Sequence, residues 1–231
     1  MTINSKKIFV TAEIGSSWQG DFSILQRMIE RLKVADVDAV KFQSLSKEIL
    51  QKHKELKYYH FSSVSKDNIN QIVEICDFLE MEFYSTVTYS DAIDFLNPHV
   101  KRFKIRSADN NKPTLVSDCL GTGKEVIISS LKPLKQITSQ IKNLYCIPRY
   151  PVEFGEYNFA CLKSFQGFSN HCKNPLAILC AVLTGEKHIE FHVTPSLSFF
   201  NLDNSVSFDI DQTLQLMKWI RLYENWNNNS G

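Results

Sequence analysis

The chain alternates between short runs of β-branched or aromatic residues and longer stretches with the period of an amphipathic helix. The runs fall at 7–14, 39–43, 83–87, 102–106, 125–129, 144–147, 166–169 and 188–193, and the helical stretches at 24–32, 68–79, 90–96, 115–120, 133–141, 158–165, 174–183 and 211–223. Eight strand–helix repeats are the number that closes a parallel barrel. An open doubly wound sheet is the alternative, but its usual Gly-rich first turn is not matched by Gly15-Ser-Ser-Trp-Gln-Gly20. We therefore predict an α/β protein, a single-domain (β/α)₈ TIM barrel over residues 1–224 with a frayed tail at 225–231.

Composition excludes several other classes of protein. Of the 231 residues, 43% are hydrophobic and 22% are charged, and the formal net charge is +1. This balance is typical of a globular enzyme and predicts no nucleic-acid or anionic-membrane partner. No apolar run reaches the ~18 residues of a membrane span, and the polar start is unlike a signal peptide. The six cysteines form no CxxC pair, so we expect reduced thiols and a cytoplasmic location.

Charged and hydroxyl side chains stand at the carboxyl ends of nearly all the predicted strands, where a barrel gathers them at one mouth. Lys41 and Lys104 each interrupt an apolar strand. A lone lysine at such a place usually snorkels to solvent. Two lysines together with Ser107, Ser129 and the neighbouring Ser130 would instead form a cationic, hydroxyl-rich site suited to phosphate.

Two histidines follow the last two predicted strands, which are neighbours in a closed barrel. His171 comes after the seventh run, and His192 lies in the eighth with Glu190 close by. A single histidine is more often a core or surface residue than a ligand. A pair on adjacent strand ends could hold a divalent metal ion, with water or substrate completing its shell. The long polar connection at 44–66 opens at the same mouth, where long loops are often functional.

The motifs at these positions resemble the N-acetylneuraminate (sialic acid) synthase family. They occur in family order between about residues 8 and 210: Ala12-Glu-Ile-Gly15, Lys41-Phe-Gln43, Phe103-Lys-Ile-Arg-Ser-Ala-Asp109, Ile127-Ile-Ser-Ser130, Tyr150-Pro151, Gly167-Phe-Ser-Asn-His171 and Ile189-Glu-Phe-His-Val-Thr194. As a set they are highly specific. The resemblance implies a (β/α)₈ barrel that condenses phosphoenolpyruvate with the aldehyde of an N-acetylated hexosamine, using a divalent metal, Mn²⁺ above all and otherwise Mg²⁺ or Co²⁺.

The resemblance also assigns roles to individual residues. It implies metal ligands at His171 and His192. The phosphoenolpyruvate site would comprise Lys41, Lys104, Ser107, Ser129 and Ser169, and the positions near the sugar would be Glu13, Gln43, Asp109, Tyr150 and Asp203. Three carboxylates, Glu13, Glu190 and Asp203, are candidates for acid–base catalysis, and the sequence does not rank them.

The departures from the family pattern fall mainly on the sugar side. Ser17-Trp18 replaces Asn-His, Pro148-Arg149 replaces small polar residues that include an Asn, and Asn204-Ser205 replaces His-Lys. The family usually carries a C-terminal antifreeze-like domain that sends an Arg into a partner's active site, whereas this sequence ends after the barrel. We expect a different acceptor aldose, with Arg149 replacing that Arg, and a homodimer is one assembly compatible with the resemblance.

Two other functions remain open from the sequence. The first is a non-catalytic barrel that binds a sugar or a partner in surface-glycan biosynthesis, for which metal affinity without turnover would be diagnostic. The second is an aldolase that forms a Schiff base through Lys41 or Lys104, which borohydride trapping would detect.

Overall fold

A computed structural model describes residues 7–135 and 138–229 and confirms the predicted barrel. Eight parallel strands follow one another in chain order around the sheet, and β8 pairs with β1 to close it. They are β1 (Phe9–Glu13), β2 (Ala39–Ser44), β3 (Glu82–Val87), β4 (Arg102–Ile105), β5 (Glu125–Ser130), β6 (Ile141–Tyr145), β7 (Gly167–Asn170) and β8 (His188–Thr194). A short ninth strand, β9 (Phe208–Asp209), pairs with the end of β8.

The helices lie outside the strands, and all of them except the short α2 bury residues against the barrel. They are α1 (Phe22–Val34), α2 (Lys47–Lys52), α3 (Lys57–Ser62), α4 (Ile69–Phe78), α5 (Asp91–Leu96), α6 (Pro113–Gly121), α7 (Leu176–Leu183) and α8 (Ile210–Asn229). In α1 the side chain of Asp21 caps the first turn, accepting hydrogen bonds from the amides of Ser23 at 2.8 Å and Ile24 at 3.1 Å. Its inward residues at helical spacing, such as Leu25 and Ile29, are fully buried.

Strand register determines which side chains meet at the mouth. Glu13 at the end of β1 pairs with Lys41 on one side and with His192 on the other. Ser169 on β7 pairs with Glu190 on β8. Paired residues on adjacent parallel strands lie side by side, and Glu190 lies two residues before His192 on β8, so these polar residues occupy two successive levels that lead up to the carboxyl ends of the strands.

The connections on either side of β6 differ from the prediction. A helix was expected over 133–141, but Ile141 already begins β6, residues 133–135 and 138–140 are not helical, and 136–137 lie outside the described residues. The helix expected over 158–165 is a 3₁₀ helix at Phe159–Ser164, preceded by another at Phe154–Glu156. Only ten residues separate β5 from β6, which leaves too little chain for a nine-residue helix with a connection at each end.

The end of the chain also differs from the prediction. Residues 225–229, expected to be frayed, continue α8, and residues 230–231 lie outside the described part. The ring of Trp226 packs against the ring of Tyr223, one turn earlier in α8, with 6.3 Å between ring centroids. This contact supports the helix beyond its predicted end. Among the helices that the structure describes, none is both long and apolar enough to cross a membrane.

Candidate active site

A cavity of about 360 Å³ opens at the carboxyl ends of the strands. Twelve of the fourteen residues predicted from the sequence line it: Glu13, Lys41, Gln43, Lys104, Ser107, Ser129, Tyr150, Ser169, His171, Glu190, His192 and Asp203. They come from β1, β2, β4, β5, β7 and β8 and from the loops that follow them. The structure thus brings together residues that are up to 190 positions apart in the sequence.

Two lysine–carboxylate pairs form the floor of this cavity. Lys41 makes a close ion pair with Glu13 and donates to the Thr86 hydroxyl at 3.0 Å. Lys104 donates to both carboxylate oxygens of Glu190, each at 3.0 Å. Neither lysine snorkels to solvent, because Lys41 is only 4% and Lys104 only 2% exposed. The two ammonium groups are therefore held in place by buried countercharges.

Two carboxyl groups of this floor have opposite shifts in pKa. Burial acts to raise the pKa of Glu190, but the charges of Lys104 and Lys41 outweigh it and hold this pKa well below its usual range. Burial raises the pKa of Glu13 to about 7, although the charge of Lys41 opposes the shift. Ser169 also donates a hydrogen bond to Glu190, at 3.0 Å. Glu190 is thus a fixed negative charge, whereas Glu13 can exchange a proton near neutral pH.

Gly15 is required for the position of Glu13. The Gln43 side-chain amide donates to Glu13 Oε1 at 2.9 Å. Gly15 follows with a φ of +47°, and a Cβ placed there would lie 2.8 Å from that Oε1 and 2.9 Å from Gln43 Nε2. A side chain at this position would therefore displace both groups.

The two predicted metal ligands are neighbours at the mouth, with 5.5 Å between ring centroids. Tyr150, whose peptide bond to Pro151 is cis, stacks on His171 at 4.1 Å and places its hydroxyl 3.3 Å from His192 Nε2. His171 Nδ1 contacts the Ile147 carbonyl oxygen at 2.8 Å. Burial lowers the pKa of His171 to about 4 and that of His192 well below its usual value. Both imidazoles are therefore neutral near pH 7, the form that binds metals.

These residues fit a divalent ion in their donor chemistry. His192 Nδ1 is buried and finds no hydrogen-bond partner among residues 7–135 and 138–229. The carboxylate oxygen Oδ2 of Asp203 lies 3.8 Å away, so Nδ1 of His192 and this oxygen are the donors that could hold a divalent ion. Within the same described ranges, no three His, Cys, Asp or Glu side chains are already gathered as a metal cluster. An ion here would therefore draw further ligands from substrate or water.

Two predicted residues are not brought to the cavity. Asp109 is buried in ion pairs with Arg106 and with Lys112, the latter at 2.7 Å, because the short 3₁₀ helix Ser107–Asp109 turns it away. Arg149 is exposed, where it pairs with Glu156 and donates to the Pro151 carbonyl oxygen at 3.2 Å. The expected replacement of a missing arginine by Arg149 has no support in this geometry.

Other lining residues were not predicted as site residues. The long connection at 44–66 forms α2 and α3 and supplies His53 and Tyr59, and the strand ends add Thr86, Arg106 and Cys146. Arg106 directly precedes the predicted Ser107, so adjacency was the available signal. Trp18, at one of the departures from the family, is fully buried instead, packing on Phe22 and Phe42.

The chain is similar to a family of synthases and to a solved structure. A model of the NeuB family matches residues 28–230. The chain is 25% identical to N-acetylneuraminate-9-phosphate synthase of Homo sapiens, covering 94% of this chain and 70% of the human protein. It is 26% identical to N,N'-diacetyllegionaminic acid synthase of Legionella pneumophila, with 94% and 72% covered. The solved N-acetylneuraminic acid (sialic acid) synthetase of Leptospira borgpetersenii superposes with a TM-score of 0.84 at 22% identity, over 96% of this chain and 85% of that one. These matches confirm the resemblance read from the motifs.

Proposed function

The chain belongs to the NeuB family, and we propose from this that it condenses phosphoenolpyruvate with an aldose and releases phosphate. The acceptor class is an N-acetylated hexosamine or a related aldose, and the product is a sialic-acid-like 3-deoxy-2-ulosonic acid. The observation that carries the proposal is one cavity in which the paired Lys41 and Lys104 face Ser107, Ser129 and Ser169 beside two neutral histidines. The similar synthases are named for N-acetylneuraminate-9-phosphate and for N,N'-diacetyllegionaminic acid, and both names agree with this class of product.

The reaction forms one carbon–carbon bond and one carbon–oxygen bond to water, and it breaks the carbon–oxygen bond to phosphate. C3 of phosphoenolpyruvate bonds to the aldehyde carbon, and the aldehyde oxygen takes up a proton to become a hydroxyl. Water adds at C2 and gives up one proton; the bond between C2 and the phosphate oxygen then breaks, phosphate leaves, and the new C2 hydroxyl loses its proton as C2 becomes a ketone. Lys41 and Lys104 stabilise the charge of the phosphate and carboxylate groups, because preoriented cations in a water-poor site need no reorganisation.

The three candidate carboxyl groups can be ranked by their surroundings. Glu190 is held ionised by two lysines and serves as fixed charge that positions them. Burial raises the pKa of Glu13 to about 7 and that of Asp203 to about 6. We assign proton transfer to Glu13, because a group with a pKa near the working pH both gives and takes a proton readily, and keep Asp203 for the metal site described next.

A divalent ion held by His171, His192 and Asp203 would polarise the aldehyde as a Lewis acid. Mn²⁺ is the first candidate, then Mg²⁺ and Co²⁺. The chain's own contribution is to keep both imidazoles neutral by burial and to leave Nδ1 of His192 without a hydrogen bond.

The proposal is tested by measuring phosphate release from phosphoenolpyruvate across a panel of aldoses with Mn²⁺, Mg²⁺ or Co²⁺. We expect release that needs both an aldose and the metal, and that EDTA abolishes. Absence of metal-dependent release with every aldose would overturn the proposal. Binding of metal and phosphoenolpyruvate without turnover would instead favour the non-catalytic barrel.

A Schiff-base aldolase is tested in the same preparation by borohydride trapping with a carbonyl substrate. Burial acts to lower the pKa of Lys41, but the charges of Glu13 and Glu190 outweigh it and raise this pKa, which favours the protonated amine, a form that is not a nucleophile. Burial lowers the pKa of Lys104, but its amine donates to both carboxylate oxygens of Glu190 and is not free to attack a carbonyl carbon. We therefore expect no trapped adduct. A lysine adduct found by mass spectrometry would contradict the condensation mechanism.

A further inference from the structure

Arg106 stands in the wall of the cavity beside the proposed phosphate site, where the sequence motifs assigned no role to it. It directly follows β4, and its backbone carbonyl accepts from the Asp109 amide at 3.0 Å, closing the 3₁₀ turn. Asn110, just after this turn, donates to the Ser129 carbonyl oxygen at 3.0 Å. This hydrogen bond fixes the turn against the end of β5, so that Arg106, Ser107 and Ser129 line the same part of the cavity.

The charges of the cavity leave a surplus of positive charge at this turn. Lys41 is neutralised by Glu13, and Lys104 is neutralised by Glu190. Asp109, by contrast, is shared by two cations, Arg106 and Lys112. One positive charge at the turn is therefore not balanced by a described carboxylate contact, and an anion bound in the cavity would supply the balance.

Hydrogen-bond donors without partners lie at this turn and at the neighbouring end of β5. The Ser129 side chain is 2% exposed, and its hydroxyl has no hydrogen-bond partner within the part of the chain that the structure describes. The contact between Arg106 and Asp109 uses only Nε of the guanidinium. Both terminal nitrogens of Arg106 make no hydrogen bond to any described residue. The buried Ser129 hydroxyl and the two terminal nitrogens of Arg106 are groups that can donate hydrogen bonds to the oxygens of a phosphate.

We propose that Arg106 is a phosphate-binding residue that completes a subsite with the hydroxyls of Ser107 and Ser129. The inference rests on the proposed function, to which it adds a ligand for a phosphate group. That phosphate is either the leaving group of phosphoenolpyruvate or a phosphate carried by the acceptor sugar. Both present the same tetrahedral anion, which a guanidinium grips with two parallel hydrogen bonds.

The test measures binding without turnover. Titration calorimetry follows phosphoenolpyruvate, inorganic phosphate, and one aldose with and without a terminal phosphate, for the wild type, Arg106→Met and Arg106→Lys. Arg31→Met is the matched control, because Arg31 is an exposed arginine on α1 that is also paired with one aspartate, Asp211. Thermal melts of each variant confirm that it is folded, and Arg106→Lys keeps the charge should Arg106→Met not fold.

We expect Arg106→Met to weaken phosphate binding about 10- to 100-fold, as for loss of hydrogen bonds to a charged group. Arg106→Lys should weaken it less, because charge is kept while the fork is lost. Weaker phosphoenolpyruvate binding assigns the subsite to the leaving phosphate. A loss confined to the phosphorylated aldose assigns it to the acceptor.

Two results would overturn the inference, and they are distinguishable. If the wild type binds phosphoenolpyruvate and both Arg106 variants bind every phosphate ligand equally well, only the role of Arg106 falls. If the wild type binds neither phosphoenolpyruvate nor phosphate, the proposed function falls as well. A loss of the same size in Arg31→Met would show a non-specific effect of net charge and would likewise count against the subsite.

Discussion

Glu13, Glu190 and Glu186 are all buried glutamates, yet their neighbours give them different chemistry. Glu190 faces two ammonium groups, Glu13 faces one, and no ion pair of Glu186 occurs within the described ranges. Burial alone raises the pKa of Glu186 to about 7. The protonation state of a buried carboxyl group thus follows from the balance between its burial and the charges around it, which residue type does not determine.

Replacing Glu190 by Gln should leave Lys104 buried without its countercharge. We expect a loss of about 3–5 kcal/mol in the free energy of unfolding, since one partner of a buried pair is removed. Phosphate release should fall at least about 100-fold, since the charge that positions both lysines is lost. Urea unfolding and the phosphate assay measure the two effects. Glu30→Gln, an exposed position on α1, is the control, and an equal loss there would contradict the prediction.

The raised pKa of Glu186 predicts how the free energy of unfolding changes with pH. Its folded-state pKa of about 7 lies above the ordinary 4.5, so the folded state holds the proton more tightly and stability falls as pH rises from about 4.5 to 7. Glu186→Gln should therefore match the parent near pH 4.5 and exceed it by about 1–2 kcal/mol at pH 8. Denaturant midpoints across pH measure this. Glu74→Gln on the exposed face of α4 should show no such divergence, and a parallel pH profile for Glu186→Gln would refute the assignment.

At the scale of elements, the turns at the strand ends decide which side chains enter the cavity. The turn after β1 has Gly15 in the left-handed region, which lets the backbone pass close to Glu13 and Gln43. The 3₁₀ turn after β4 puts Arg106 and Ser107 in the wall and turns Asp109 away. The positions of the strands were predictable from the alternation of apolar runs with helical stretches. The conformation of each turn depends on its contacts with the next strand, which the sequence does not show.

Gly15→Ala should reduce both activity and stability. The new methyl group would meet Glu13 and Gln43 within 3 Å, and the positive φ adds a backbone cost of about 1–3 kcal/mol. We expect at least a 10-fold loss in kcat/KM, equivalent to about 1.4 kcal/mol in the barrier. Gly155→Ala is the control, because a Cβ there has nothing within 4 Å. Equal activity of the two variants would show that Gly15 does not position Glu13.

At the scale of the molecule, α8 contacts the amino ends of β1 and β2, at the end of the barrel opposite the cavity. Arg221 on α8 donates to the Ile8 carbonyl oxygen at 2.8 Å and to Asp38 at 2.7 Å, and it pairs with Glu224 at 2.8 Å. These contacts lie at the amino ends of β1 and β2. In barrels of this type that end serves stability, while the carboxyl ends hold the active site.

Arg221→Met should accordingly separate stability from function. Within the described part of the chain, the variant leaves the half-buried Glu224 without a cation and leaves Asp38 with Lys7 alone, and we expect a loss of about 2–4 kcal/mol in unfolding free energy. Affinity for phosphoenolpyruvate should stay within about twofold at temperatures where the variant is folded, since additivity holds for distant sites. Urea unfolding and calorimetry check both statements. A large fall in affinity in the folded variant would contradict the separation of the two faces.

Much of the candidate site could be predicted from the sequence because the barrel fold fixes where the strands end. Each strand ends at the same mouth, so polar residues at strand ends converge whatever their distance along the chain. Glu13, Lys41, Lys104 and His192 were predictable on that basis. Asp109 and Arg149 were not correctly placed, because they lie in turns and loops rather than on strands, and no strand register constrains their direction.

The sequence by itself determined the number of strands, the end of the barrel that holds the site and the motifs of the family, because all three are encoded in local period and residue type. The tertiary structure alone decided the pairing of each buried charge. Which carboxylate neutralises Lys41 or Lys104, and why Arg106 and Lys112 share one aspartate, depends on distances between side chains from different strands and turns. Those distances, through the Coulomb and desolvation energies that depend on them, set the chemistry of the cavity.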